Sequence, residues 1–256
     1  MIFAFPYHDP EAKFNALFEK NFDNFEKNFD KVCISVTPPT AKNNVEFIKK
    51  LKKRGFKLIV NTDKSTVGDH YRNALKLGAR YCQENERIFY GFLDRVIFDL
   101  ETKWQSPFLK DLKRAENKDF LIFERSVPAW KTHPANYREI EQIVSRVFEL
   151  LSGKNFELNP CAFLINKAIS EKILKESKSP GWETLGEWIL LAISNKTKIR
   201  SKKVDWLAWE DPFWEKANPN SLKKLREQSK EETIKRIKSN TPFLSLLTEE
   251  RFKHCF

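Results

Sequence analysis

Residues 61–95 read NTDKSTVGDHYRNALKLGARYCQENERIFYGFLDR, and the rest of the chain is best arranged around them. Gly68-Asp69 predicts a turn leading into a helix over 69–77 that carries Arg72 and Asn73, with Gly78 as its end. A hydrophobic strand then runs from Ile88 to Leu93 and stops on Asp94. A turn, an Arg-Asn helix, a strand and a terminal carboxylate, in that order, bring a cation and a carboxylate to one sheet edge. Such an edge can hold a nucleotide diphosphate and its metal.

The residues before this stretch extend the same pattern. Ile2 to Tyr7 is a short apolar run, a buried strand by length and composition. Asp9-Pro10 predicts a helix start, with Asp as cap and Pro at the first helical position. Phe14, Phe18, Phe22, Phe25 and Phe29 follow at helical spacing and form one apolar face, a core stripe rather than a ligand box. Val32 to Val36 is a second strand, closed by Thr37-Pro38-Pro39-Thr40. A helix over 43–53 ends at Gly55, and Phe56 to Val60 is a third strand. Strands alternating with helices imply βαβ units and a mainly parallel sheet. Ligands of such sheets bind outside the carboxyl ends of the strands. Here those ends are Tyr7-His8, Thr37-Pro38, Asn61–Asp63 and Asp94-Arg95.

Downstream, the patterns predict helices over 95–103 and 107–115, a strand from Asp119 to Glu124, and a long helix over 136–151 stopped by Gly153. A strand over 161–165, helices over 168–177 and 182–194, and a last strand from Lys203 to Trp209 follow. Asn218 to Lys238 reads as a polar helix with seven Lys or Arg against three Glu.

The bulk composition fits a soluble globular protein, with 41% apolar and 32% charged residues. No run reaches the roughly 18 to 20 apolar residues that cross a bilayer. The N-terminus lacks a basic region and meets His8 and Asp9 too early for a signal peptide. Cys33, Cys82, Cys161 and Cys255 form no CxxC pair, which argues against a zinc site or disulfide scaffold and fits a reducing cytoplasm. The net charge of +11 favours anionic partners, though a solvated Lys-rich surface explains it equally well. Leu222, Leu225, Ile234 and Ile237 among the basic residues of 221–238 suit peripheral contact with an anionic membrane; nucleic acid is the less favoured partner.

In order and spacing, the chain over about residues 1–210 resembles GT-A fold glycosyltransferases, especially the family 2 type that includes dolichyl-phosphate-mannose-synthase-like enzymes. The matching residues are Phe5-Pro6-Tyr7, Gly68 with Tyr71-Arg72-Asn73-Ala74, Leu77-Gly78-Ala79-Arg80-Tyr81, and Phe92-Leu93-Asp94. Pro160 to Ile165, Gly181-Trp182-Glu183 and Val204 to Trp209 resemble the acceptor half. The resemblance implies an α/β, Rossmann-like fold with a nucleotide-binding half over 1–95, an acceptor half over 96–215 and a basic helical extension over 216–256. It also implies transfer of a sugar from a nucleotide-sugar donor to a carbohydrate or lipid-linked acceptor, and a cytoplasmic or membrane-peripheral setting.

In that family a divalent cation held by an Asp-x-Asp pair neutralises the leaving diphosphate. Mg²⁺ or Mn²⁺ suits such oxygen ligands, and the resemblance assigns the metal to Asp94. The second Asp is absent, with Arg95-Val96 following. One Asp with waters and diphosphate oxygens, a basic residue such as Arg95 in place of metal, and an inactive binding protein on the same fold all answer to that. The family's Asp-Asp-Gly-Ser after the second strand is replaced by Thr37-Pro38-Pro39-Thr40.

The donor-side candidates are Pro6, Tyr7, Thr37, Asp63, Gly68, Asp69, Arg72, Asn73 and Arg95. Several have a structural alternative. Asp69 can cap its helix, Asp63 can close a turn with Ser65, and Arg72 can pair with Asp69 or Asp94 instead of a phosphate. The base candidates are Glu183 and Glu187, one turn apart on one helix face; helix-dipole stabilisation alone also explains Glu there. Of Trp182, Trp188, Trp206, Trp209 and Trp214, most are expected in the core and one as a sugar-ring wall. A nucleotidyltransferase is disfavoured because the loop from Pro6 to Pro10 has no glycine.

Overall fold

The chain reverses direction across the sheet after its third strand, and that reversal sets the architecture. The computed structural model describes residues 1–114, 120–209 and 219–256. Its strands are β1 (Ile2–Tyr7), β2 (Lys31–Val36), β3 (Lys57–Val60), β4 (Ile88–Tyr90), β5 (Phe120–Arg125), β6 (Ala162–Ile165) and β7 (Ile199–Val204). They form one sheet in the order β3-β2-β1-β4-β6-β5-β7. β1 is parallel to β2 and β4, β2 to β3, and β5 to β7, while β6 is antiparallel to both its neighbours. The sheet is thus mainly parallel and flanked by helices.

The steps from β1 to β2 and β2 to β3 go one way, and the step from β3 back to β4 goes the other. Right-handed crossovers in opposite directions place their helices on opposite faces. Phe18, Phe22 and Phe25 of helices Asn15–Lys20 and Phe22–Asn28 pack with Phe3 and Phe5 on one face. Tyr71, Ala74 and Leu75 of helix Val67–Tyr81 pack with Ile2 and Ala4 on the other. β1 alternates between two cores and is buried on both sides. The parting of directions beside β1 is the switch point where such sheets bind ligands.

Several boundaries differ from the sequence reading for identifiable reasons. Helix Val67–Tyr81 passes through Gly78 rather than ending there. A Cβ at Gly78 would lie 3.0 Å from Ile88 Cγ2 and 3.1 Å from Ala4 Cβ, so this glycine permits close approach to β4 and β1. β4 stops at Tyr90, and Leu93–Glu101 is helical, which puts Asp94 in a first helical turn rather than at a strand end. The Phe stripe spans two short helices joined at Asn21. The last strand lies earlier than the expected Lys203–Trp209 and shares only Lys203 and Val204 with it; Trp206, Leu207 and Ala208 are buried after its end, outside the sheet.

The basic C-terminal segment is two helices, Pro219–Gln228 and Lys230–Leu246, with Ser229 capping the second. Phe243 and Leu246 enter the main core, and Arg236 bonds to Glu141. Asp119, Trp214, Asn218 and the expected boundary at 215–216 lie outside the described residues. Among the described residues no helix is long and apolar enough to cross a membrane.

Phe18 is fully buried and its ring meets those of Phe5, Tyr7, Phe22, Phe25, Phe47 and Phe56. Phe18→Ala is expected to lower stability by about 3–5 kcal/mol in urea unfolding. A loss below about 1 kcal/mol would show that the aromatic cluster closes over the gap.

Candidate active-site cleft

A cleft of ≈ 580 Å³ opens at the carboxyl ends of the first strands. Its lining comes from Pro6, Tyr7 and His8 after β1, Thr37 to Pro39 after β2, Thr62, Asp63 and Ser65 after β3, and Phe92 to Asp94 after β4. Val67, His70 and Tyr71 of helix Val67–Tyr81, with Phe14 and Trp182, complete it.

A hydrogen-bonded network fixes the β1 end. The buried Asp9 carboxylate accepts from the backbone N–H groups of Lys13 and Phe14 and from the Tyr7 hydroxyl. Asp9 N donates to Thr40 Oγ1 at 2.7 Å, Thr40 Oγ1 lies 2.8 Å from Thr37 Oγ1, and Thr37 Oγ1 lies 2.9 Å from His8 Nδ1. Burial and the adjacent Asp9 charge push the Tyr7 hydroxyl pKa far up, so it stays a neutral donor. At the β3 end Ser65 Oγ accepts from Thr62 N and Ser65 N donates to Thr62 O, so Thr62 and Ser65 make the turn and Asp63 stands exposed at the rim.

The opposite wall is aromatic. Trp182 is half exposed and meets Tyr71 edge-on, with centroids 5.9 Å apart, and Phe92 at 6.3 Å. The loop before helix Thr184–Ser194 carries Trp182, and helix Val67–Tyr81 holds that loop. Gly68 N donates to Pro180 O at 2.8 Å, and a Cβ on Gly68 would fall 2.0 Å from Ser179 O. Arg72 Nη1 donates to Ser179 O at 2.7 Å, and its Nη2 donates to Asp69 Oδ1 at 2.8 Å. Asp69 and Thr66 form a reciprocal capping box at the helix start. Burial opposes ionisation of Asp69, but Arg72 and Thr66 outweigh it and hold the carboxyl down to about 2.

Behind the loop, fully buried Glu187 accepts from Ser177 Oγ and from the N–H groups of Lys178 and Ser179. Arg251 Nη1 donates to Glu187 Oε1 at 2.6 Å, tying the C-terminal segment to the same loop.

The structure thus divides the sequence candidates. Pro6, Tyr7, Thr37, Asp63 and Asp94 line the cleft. Gly68, Asp69 and Arg72 clasp the 177–183 loop instead. Asn73 donates to Asn61, which in turn donates to Ser35, a brace beneath β2 and β3. Arg95 is half buried, and its charge opposes protonation of His133 and favours the Cys161 thiolate, which places it towards the buried Arg125 cluster. Glu183 accepts from Gly181 N next to Trp182, while Glu187 is enclosed behind the loop. The sequence reading assigned nothing to His70, which lines the cleft; its place one turn after the Thr66 cap was the available signal.

No family model matches the sequence, and no curated protein matches it. Solved structures do match in shape. Glucosyl-3-phosphoglycerate synthase of Mycobacterium tuberculosis aligns over 98% of this chain and 80% of its own, at 10% identity and TM-score 0.54. A mycobacterial protein aligns over 88% and 73%, at 10% identity and TM-score 0.50. This chain has the GT-A glycosyltransferase fold. A complex of the same synthase with Mn²⁺, UDP and phosphoglyceric acid is also similar, at 10% identity and TM-score 0.49, over 78% of this chain and 66% of that one. At this identity the likeness to GT-A structures is one of fold.

Removing the Arg251 guanidinium leaves the buried Glu187 charge without its cation. Arg251→Ala is expected to lower stability by about 2 kcal/mol in urea unfolding and to increase quenching of Trp182 by iodide. An unchanged midpoint together with unchanged quenching would show that the loop holds its place without this tie.

Proposed function

We propose that the cleft binds a nucleotide-diphosphate sugar and that the chain transfers the sugar to a carbohydrate or lipid-linked acceptor. The observation that carries this reading is the placement of the cleft. It lies at the switch point of a GT-A sheet, with Asp94 on one side and the Tyr71–Phe92–Trp182 wall beside it. Pro6, Tyr7, Thr37 and Asp63 hold the nucleoside end, where Pro38 and Pro39 add flat apolar surface. The aromatic wall takes the sugar and the incoming acceptor, since ring faces pack well against sugar C–H groups. Glu183, next to Trp182, is the base candidate for the acceptor hydroxyl; Glu187 is enclosed and serves the loop.

Among the described residues no three His, Cys, Asp or Glu side chains converge on a metal position. The donor set nonetheless fits an ion that arrives with its substrate, because Mg²⁺ is commonly held by one or two carboxylates and completed by substrate phosphates and water. Asp94 is that carboxylate. When bound, the ion would supply Lewis-acid neutralisation of the leaving diphosphate. The lone carboxylate also favours a second reading, a GT-A protein that binds the nucleotide sugar without turning it over.

A panel of UDP- and GDP-sugars with Mn²⁺ is expected to raise the melting temperature, and Asp94→Asn and Trp182→Ala are each expected to weaken binding at least about tenfold. No shift with any nucleotide sugar would sink the proposal. Binding with no transfer or hydrolysis, even in the presence of candidate acceptors, would leave the binding-protein reading.

A further inference from the structure

Among the described residues the cleft lining offers a bound anion few positive partners, and two histidines stand out. A nucleotide sugar brings two negative charges on its diphosphate. Asp63 and Asp94 line the same cleft and, as carboxylates, offer that diphosphate no positive charge. Among the described residues no Lys or Arg lines the cleft, although the chain carries a net charge of +11. Arg72, the nearest expected cation, spends its guanidinium on Ser179 O and Asp69. The lining residues that can become positive are His8 and His70. An uncompensated charge in a partly desolvated site is costly, so a bound ligand favours protonating them.

We propose that His8 and His70 form the cationic side of the cleft and take up protons as a diphosphate-bearing ligand binds. This inference rests on the nucleotide-sugar reading and deepens it.

The geometry accommodates both protonation states of His8. With neutral Nδ1, the Thr40 hydroxyl donates to Thr37 Oγ1 and the Thr37 hydroxyl donates to Nδ1. With protonated Nδ1, the imidazole donates to Thr37 Oγ1, which keeps accepting from the Thr40 hydroxyl, and the Thr37 hydroxyl turns into the cleft that Thr37 lines. Both contacts are short enough for either direction, at 2.9 and 2.8 Å. Asp9 N donates to Thr40 Oγ1 throughout and anchors the chain of hydroxyls.

His70 enters from the opposite side, on helix Val67–Tyr81. Its Nδ1 is buried without a hydrogen-bond partner, a donor or acceptor position left open. Burial disfavours its charged form, the Asp69 carboxylate favours it, and a charge on His8 disfavours it again. The two imidazoles therefore sense each other. The other ionisable groups lining the cleft or next to these rings are Asp63, Asp94, Asp9, Tyr7 and Tyr71. The first three are carboxylates, and both tyrosines are held neutral, chiefly by burial. A diphosphate adds charge of the sign that reverses the burial effect, so binding and protonation support each other.

Calorimetric titration of the full chain with UDP-glucose, in two buffers of different ionisation enthalpy near about pH 7.5, measures the protons taken up. UDP-glucose keeps a fixed charge there, so the protons counted belong to the protein. The expected result is net uptake with UDP-glucose and Mg²⁺ and none with uridine, which lacks the diphosphate. In His8→Gln/His70→Gln the uptake should fall to less than half, with affinity at least about fivefold weaker. No uptake, equal uptake with uridine, or uptake unchanged in the double variant would each overturn the proposal. If the variant fails to fold, imidazole NMR titration of the native chain decides. A ligand-induced rise in the acid constants of two histidines supports the proposal, and its absence refutes it. Failure of every nucleotide sugar to bind at any pH would instead remove the underlying function.

Discussion

The contact between Gly68 and the 179–180 backbone is the constraint on which the cleft depends. A methyl group at Gly68 would sit 2.0 Å from Ser179 O, so the helix and the loop meet at the distance of bare backbone. That approach lets Gly68 N reach Pro180 O and lets Arg72 and Thr184 both donate to Ser179 O. Residues 107 positions apart in sequence thereby become one rigid wall. Trp182 follows directly, and its indole reaches Tyr71 because the loop cannot back away. The buried Glu187 does the same work from behind by collecting the loop's N–H groups.

Much of the fold was legible because the first half of the chain obeys local rules. β1 and β2 alternate between two apolar faces, Gly55 takes the left-handed backbone at the end of its helix, and Thr66 with Asp69 makes a capping box. The misreadings share one cause, the use of a single residue type as a boundary sign where tertiary packing had fixed it. Gly78 looked like a helix end but is small because β1 and β4 pass beneath it. Asp94 looked like a strand terminus but sits in a helical first turn, where a carboxylate meets the positive end of the helix dipole. Trp206 and Leu207 looked like strand because they are apolar residues that the chain buries just after β7 ends.

The site was legible in its location more than in its membership. Carboxyl ends of parallel strands are set by topology, which the order of elements reveals. Which side chain turns inward depends on the partners it finds across the fold. Gly68, Asp69, Arg72 and Asn73 form the motif that most resembles a phosphate site, yet each has a structural partner that sequence spacing cannot show. His70 lies within that same motif and does line the cleft. A helix near a site presents several faces, and the face that enters is decided by what clasps the others.

This arrangement leaves a basic protein with a cleft that lacks fixed cations among its described residues. Arg54, Lys50 and Lys202 bond to carboxylates on the surface, while Arg125 is buried between Glu141 and Glu157 and Arg236 reaches Glu141 from outside. The net charge therefore raises the potential around the molecule and steers anions without holding them. Holding requires positive charge at the site, and Asp63 and Asp94 at the cleft edge do not supply it. The anion must bring a cation, create one by protonation, or do both. Adjustable charge gives a weaker hold than an arginine fork but releases an anion more readily.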